Sequence, residues 1–350
     1  MNLAQIEKIT KAVLYEGYML YPYRPSAIKN QRRFNFGVIH AKAYGHDNGE
    51  LCELQTECLA QAAEGATLQI HLRFLRLVDR AVCRISEGVL TPNAACEIEP
   101  MSSLEVGGRV YRSWQEVTEE AVSIPVVCLS ELSRAPITHS FHLSPESSVE
   151  TIPAEPGRVV GAIVRTTAAQ NGRVQVSAEI PREGLFKLRL GIVNESEYTP
   201  RDTAMREDAL PSSFLSVHLV LGIEKGEFVS LLDPPAALQP FASACRNFGL
   251  WPILIGEPGA CDTLLCSPII LYDYPRIAGD SPGDLYDGTE IDEILSLRIL
   301  TLTEDEKREM RASDERARAI LERTESLTPE HWSRLHGALR SLEPLKEKAS

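Results

Sequence analysis

The chain has 350 residues, 43% of them hydrophobic and 24% charged, with 22 glycines and 22 prolines. At about 150 residues per domain that length allows roughly two domains, and the composition is that of a folding chain rather than a collagen-like or disordered one. A formal charge of −13 excludes general nucleic-acid binding and adhesion to anionic membranes from the leading readings, because phosphate charge would repel it.

The first predicted element is a helix, since Ile6, Ile9, Val13 and Gly17 recur on one helical face before Pro22 and Pro25. From there to about residue 275 the period shortens to two. Leu54, Thr56 and Cys58 alternate with polar neighbours, as do Leu68, Ile70, Leu72 and Phe74, the pattern of half-buried strands. Residues 144–157 (SPESSVETIPAEPG) are rich in Pro, Ser and Glu and read as a linker between two β-rich halves. In the second half, Val174, Val176, Ala178 and Ile180 alternate after Asn171-Gly172, a dipeptide suited to a tight hairpin turn. Phe186 to Ile192 and Leu215 to Leu221 repeat the alternation, the latter turning at Lys225-Gly226. Antiparallel sheets with one wet face fit this pattern better than parallel ones.

A helix is predicted over 235–248, between Pro234 and Gly249, and a strand over 267–272. Beyond it the chain reads as helical. Thr289 is the expected N-cap of a helix with Ile291, Ile294, Leu295, Ile299 and Leu302 on one face; Thr303 with Glu306 forms a capping box, and Thr328-Pro329 opens a last helix. The expectation is an α+β protein: an antiparallel β-rich body with an N-terminal helix and a helical C-terminal tail. Its divisions are 1–143, 158–275 and 276–350.

No phosphate-binding loop, GxGxxG, HExxH, GxSxG or EF-hand pattern occurs. The N-terminus lacks a basic stretch followed by an apolar one, and no run approaches the about 18 apolar residues of a membrane span, so the expected location is the cytoplasm. Eight cysteines, at 52, 58, 83, 96, 128, 245, 261 and 266, form no CxxC pair and read as reduced thiols. On a strand Cys52 and Cys58 lie about 20 Å apart, too far to share a tetrahedral ion. Cys261 and Cys266 fall on opposite faces, as do His139 and His142. Neither a metal nor another cofactor is expected.

Two segments stand out by charge. Residues 17–46 contain no acid, while Arg24, Lys29, Arg32, Arg33 and Lys42 supply five positive charges. Tyr15, Tyr18, Tyr21, Tyr23, Phe34 and Phe36 accompany them. Tyr and Arg are the residue types enriched at binding hot spots, so Tyr15, Tyr18, Tyr21, Tyr23, Arg24, Lys29, Arg32 and Arg33 are the candidate surface for a protein partner or an anionic group. The competing reading has the phenols packed inside and the cations neutralised by the chain's own carboxylates. The second segment, residues 273–293, is acidic, and Asp284, Asp287 and Glu290 are its candidate docking residues; the alternative is loop and helix-end charge.

The run Leu14-Tyr15-Glu16-Gly17-Tyr18, then Leu20 to Ala27, Lys29-Asn30 and Arg33 to Val38, resembles an uncharacterised bacterial family found in gene clusters of actinobacterial-type nickel–iron hydrogenases. Residues 267–273 and 281–293, continuing to 300–303, resemble the same family. The resemblance implies a non-catalytic accessory role in hydrogenase assembly or function, with a hydrogenase subunit or maturation factor as partner, and it transfers no catalytic residue. The alternative is an enzyme or small-ligand module holding a phosphate or carboxylate through the Arg/Lys cluster. Self-association through the terminal helices would make the protein a homo-oligomer.

Overall fold

Thirty-three consecutive residues, Glu53–Ile85, form a single strand, β1, in the computed structural model. The structure describes residues 3–19, 21–24, 27, 30, 33, 34, 36–85, 98–155, 158–199, 205–275, 292–313 and 315–328. They group into two compact units: Met1–Leu14 with Phe34–Pro275, and Tyr15–Arg33 with Arg276–Ser350.

In the first unit, helices α1 (Leu3–Leu14) and α2 (Lys42–Asn48) precede β1. Strands β2 (Ile98–Met101), β3 (Ser103–Val106), β4 (Arg109–Arg112) and β5 (Trp114–Cys128) follow, then the one-turn α3 (Leu129–Leu132). Next come β6 (Ile137–Leu143), β7 (Ser147–Glu155), β8 (Arg158–Thr166), β9 (Gln170–Arg182) and β10 (Leu185–Asn194). The unit closes with α4 (Arg206–Ala209), β11 (Leu215–Val229), α5 (Gln239–Ser243), β12 (Trp251–Leu254) and β13 (Thr263–Ser267). Eleven strands make one sheet in the order β12-β13-β11-β1-β10-β9-β6; β2, β5 and β8 also pair with β1, and β7 pairs with β8. The strand pairs are antiparallel, and the protein is α+β, as its alternating pattern implies.

One strand serves so many neighbours because it bends. Gly65 has φ +75, and the register to β11 shifts between Ala62 and Thr67, a bulge that turns the strand. Along β1, Leu54, Cys58, Ala60, Leu68, Ile70, Leu72 and Phe74 all face one core with Val174, Val176, Leu188, Leu190, Val217 and Leu219. The sheet curls round that core: the rings of Phe74 (β1), Phe141 (β6) and Phe214 lie 4.7 to 6.0 Å apart. On the other face of β11, β12 and β13, α1 buries Ile9 and Val13 against Val220, Ile253 and Leu265. Arg73 ties the helix down by donating to Glu7 at 2.7 and 2.9 Å and to Thr10 at 3.0 Å.

Several local expectations change. The stretch 144–157 is no linker, because β7 runs through it, pairs along β8 and buries Ile152 in a small core with Val82, Leu104 and Ile163. Its Pro, Ser and Glu are edge-strand residues that read as loop. Asn171-Gly172 lies inside β9; glycine is needed there because a Cβ would stand 2.3 Å from the Phe141 ring and 2.9 Å from the Phe214 ring. Lys225-Gly226 is a kink within β11, with Lys225 at φ +58. Over 235–248 only Gln239–Ser243 is helical, since Pro240 would collide with the preceding turn of a helix begun at 235. The strand near 267 ends at Ser267, leaving Ile270 and Tyr272 exposed. Gly17 lies beyond the end of α1, at φ +72.

The second unit holds α6 (Asp292–Leu300), α7 (Glu304–Ser313) and α8 (Glu315–Glu325). Leu295, Ile299, Met310, Ala317, Ile320 and Leu321 are among its buried side chains, whereas Ile294, assigned to the same face by spacing, is exposed. The capping box forms: Glu306 Oε2 accepts from the Thr303 amide at 2.9 Å, and Thr303 Oγ1 accepts from the Glu306 amide at 3.3 Å. Lys307 and Arg311 of α7 pair with Glu325 of α8 at 3.3 and 2.9 Å. Thr289, Ile291 and the helix expected from Pro329 lie outside the described residues.

Candidate functional site

The Tyr/Arg segment belongs to the second unit, and its geometry answers the question of exposure for most of its members. Tyr15, Tyr18 and Tyr23 are each at most 1% exposed, and Arg33 is 5% exposed. The Tyr15 and Tyr18 rings meet edge to face at 5.7 Å. Arg316 from α8 lies 4.4 Å from the centre of the first ring and 5.7 Å from the second, and donates to the Tyr15 hydroxyl. Arg33 lies 5.5 Å from the Tyr18 ring. Tyr21 is half-buried, edge-on to Tyr23 at 6.2 Å, with Arg298 of α6 5.8 Å from its ring. Arg24 is neutralised by Glu306 at 2.7 Å, with Glu309 at 4.0 Å.

An exposed tyrosine–arginine surface is therefore not what these residues build. They form an internal bolt of phenols and guanidinium groups that fixes the segment to the three C-terminal helices, held by cation–π contact and charge-assisted hydrogen bonds. Among the described residues, the carboxylates that neutralise Arg24 come from α7. Lys29, Arg32, Asp284, Asp287 and Glu290 lie outside the described residues. Asp273, the first acid of that stretch, braces the loop after β13, where its carboxylate accepts from Ser230 Oγ at 2.5 Å and from the Leu254 amide at 2.8 Å.

Two features were missed from sequence. The first is a buried polar knot. His40 Nδ1 lies 2.8 Å from Ser213 Oγ, and that hydroxyl donates to the Ala209 carbonyl at 2.7 Å. With its proton committed there, Ser213 accepts from the imidazole, so it is not poised as a nucleophile. Asn194 donates to the carbonyls of Ile39 and Ser212, each at 2.8 Å, and Gln170 donates to those of Pro211 and Ser213. Burial pulls the His40 pKa down to about 4, with help from Arg206. Four residues scattered between 40 and 213 leave no spacing that a sequence reading could find.

The second is a groove of about 510 Å³ on the solvent face of β1, β10, β9 and β6. Its floor is a register row, Gln55–Gly191–Gln175–Thr138, that crosses four strands. Gly191 opens the floor: a side chain there would meet nothing nearer than the Leu54 carbonyl at 4.0 Å. Phe248, 51% exposed, closes one end and Pro136 the other. Exposed Arg189 and Glu53 give the lining one charge of each sign. Alternation sets Gln55, Gln175 and Arg189 opposite the apolar positions of their strands, but the dip needs a glycine and a loop that meet only after pairing.

Among the described residues no three His, Cys, Asp or Glu side chains are placed to hold one metal ion. Cys58, Cys83 and Cys266 are buried, and burial raises all three thiols, Cys266 to about 12. No helix among them is long and apolar enough to cross a membrane. No known protein family matches the chain, and no curated protein matches it.

Proposed function

We propose that this protein is a cytoplasmic, non-catalytic accessory factor that binds a protein partner through the groove on β1, β10, β9 and β6, and that the partner belongs to the assembly or function of a nickel–iron hydrogenase. The observation that carries the binding reading is that an exposed Arg189 and an exposed Phe248 both line a groove whose floor a glycine opens. Arginine and aromatic side chains lining a dip are the anchors that protein interfaces favour, and the side-chain amide of Gln175 can exchange hydrogen bonds with an extended segment, while that of Gln55 donates to the Arg246 carbonyl at 3.1 Å and offers its oxygen. The hydrogenase assignment rests on the resemblance of residues 14–38 and 267–303. Its cytoplasmic setting agrees with seven described cysteines that are all free.

The test is affinity capture of the full chain from a hydrogenase-producing cell. The wild type and an Arg134→Glu surface control are expected to retain a hydrogenase subunit or maturation factor, whereas Arg189→Glu and Phe248→Asp should each lose at least nine-tenths of it. Full recovery by both groove variants would reject the groove; absence of any hydrogenase component from the wild type would reject the assignment.

A further inference from the structure

Among the described residues, five strands of the large sheet pair on one side only: β2, β5, β6, β7 and β12. An open edge offers unpaired amides and carbonyls to another chain, and natural sheets blunt such edges with proline, charge or bulges. Four of the five are blunted in this way. β2 has Pro100 opposite Cys83, and β12 has Pro252 opposite Cys266. β5 has Pro125 inside a register break, and β7 has Pro153 between two. The exception is β6, Ile137-Thr-His-Ser-Phe-His-Leu143. It contains no proline and no Asp, Glu, Lys or Arg, and its register to β9 is unbroken over seven pairs.

The sequence of β6 is also complementary to itself. In an antiparallel pair centred on Ser140, residue 137 faces 143, 138 faces 142, 139 faces 141, and Ser140 faces its own copy. Ile137, His139, Phe141 and Leu143 are half-buried and Thr138, Ser140 and His142 exposed, so every cross-strand pair unites residues of the same face. Apolar Ile137 meets Leu143, polar Thr138 meets His142, and no charge meets its like. Arg173, set opposite Ser140 on β9, is already neutralised by Glu195 at 3.2 Å.

We infer that β6 is the seam of a homodimer, pairing antiparallel with β6 of a second copy about a two-fold axis through Ser140. Such an isologous seam is self-closing and continues the sheet from one chain into the next, beside the groove rather than across it. It does not depend on the accessory role.

Sedimentation of the full chain over a concentration series tests it. The wild type is expected to form a dimer that Ser140→Lys, with two ammonium groups forced face to face, weakens at least tenfold. The register is read by a matched pair of double variants. Thr138→Lys with His142→Glu sets opposite charges across the seam and should dimerise, whereas Thr138→Lys with His142→Lys should not. Circular dichroism checks that each variant is folded. As an independent readout, Ser140→Cys should oxidise to a dimer linked between the two introduced thiols, since antiparallel partners lie about 4.5–5.5 Å apart at Cα. A monomeric wild type at all concentrations overturns the proposal, as does a dimer indifferent to Ser140→Lys or equal behaviour of the two double variants.

Discussion

His40 and His218 are 1% and 0% exposed, and burial lowers both to about 4 from 6.5. The folded chain therefore keeps them neutral at pH 5, where unfolded histidines are protonated. Above pH 6.5 neither state binds the proton and the rings add no slope. Below it the unfolded state binds more protons, so stability falls until about pH 4, by on the order of 3 kcal/mol per ring. Denaturation midpoints at pH 7 and pH 5 should show the greater part of this loss, about 2 kcal/mol per ring, and His218→Gln should shrink the difference between them. At this scale the sequence was informative about pattern and silent about enclosure. Residues 15–33 stand out by their tyrosines and arginines, yet Tyr15 and Arg24 carry no mark telling whether their partner is α8 and α7 of the same chain or another molecule. Gly172 misled for a related reason: the turn signal of Asn-Gly is local, and the two phenylalanine rings that require a glycine there come from positions 141 and 214.

Among the elements, α1 was legible because Ile9 and Val13 carry its apolar face, and the capping box at Thr303 because four adjacent residues suffice to build it. What fixes α1 in place was not legible, since Arg73 lies 66 residues from Glu7. Arg73 holds the Glu7 carboxyl below its ordinary pKa through their hydrogen bonds and also reaches Glu119 at 3.4 Å. Arg73→Met is expected to cost about 1 kcal/mol, because the pair is partly exposed, and to speed amide exchange across residues 3–14 while leaving β11 protected. Exchange mass spectrometry reads both outcomes; unchanged protection of the helix would assign its docking to Ile9 and Val13 alone. The failures at β7 and α5 share a cause in proline. In β7 it marks an edge rather than a loop, and at position 240 it forbids the long helix that the flanking Pro234 and Gly249 suggested.

For the whole molecule, alternation alone delivered the antiparallel α+β architecture, because a strand with one buried face must show period two wherever it pairs. It could not reveal that both β-rich halves share one sheet, which rests on β1 and β6 of the first half pairing with β10 and β9 of the second. The charge of −13 per chain has its own consequence for the β6 seam: two such molecules repel at long range, and salt screens that repulsion within about 10 Å at 0.1 M. Dimer affinity should therefore rise between low and moderate ionic strength, a trend that sedimentation at the two salt concentrations would show and that a seam made of ion pairs would reverse. The length of β1 bears on biosynthesis as well. It leaves the ribosome before any strand it binds, and its first residues wait for Leu185–Asn194 and Leu215–Val229 to be translated. During that interval a long run of β-forming sequence is without its mates. Arg73, Arg76, Arg80 and Arg84, spaced along its second half, then act as gatekeepers against aggregation before most of them settle into ion pairs with Glu119, Glu120 and Glu116.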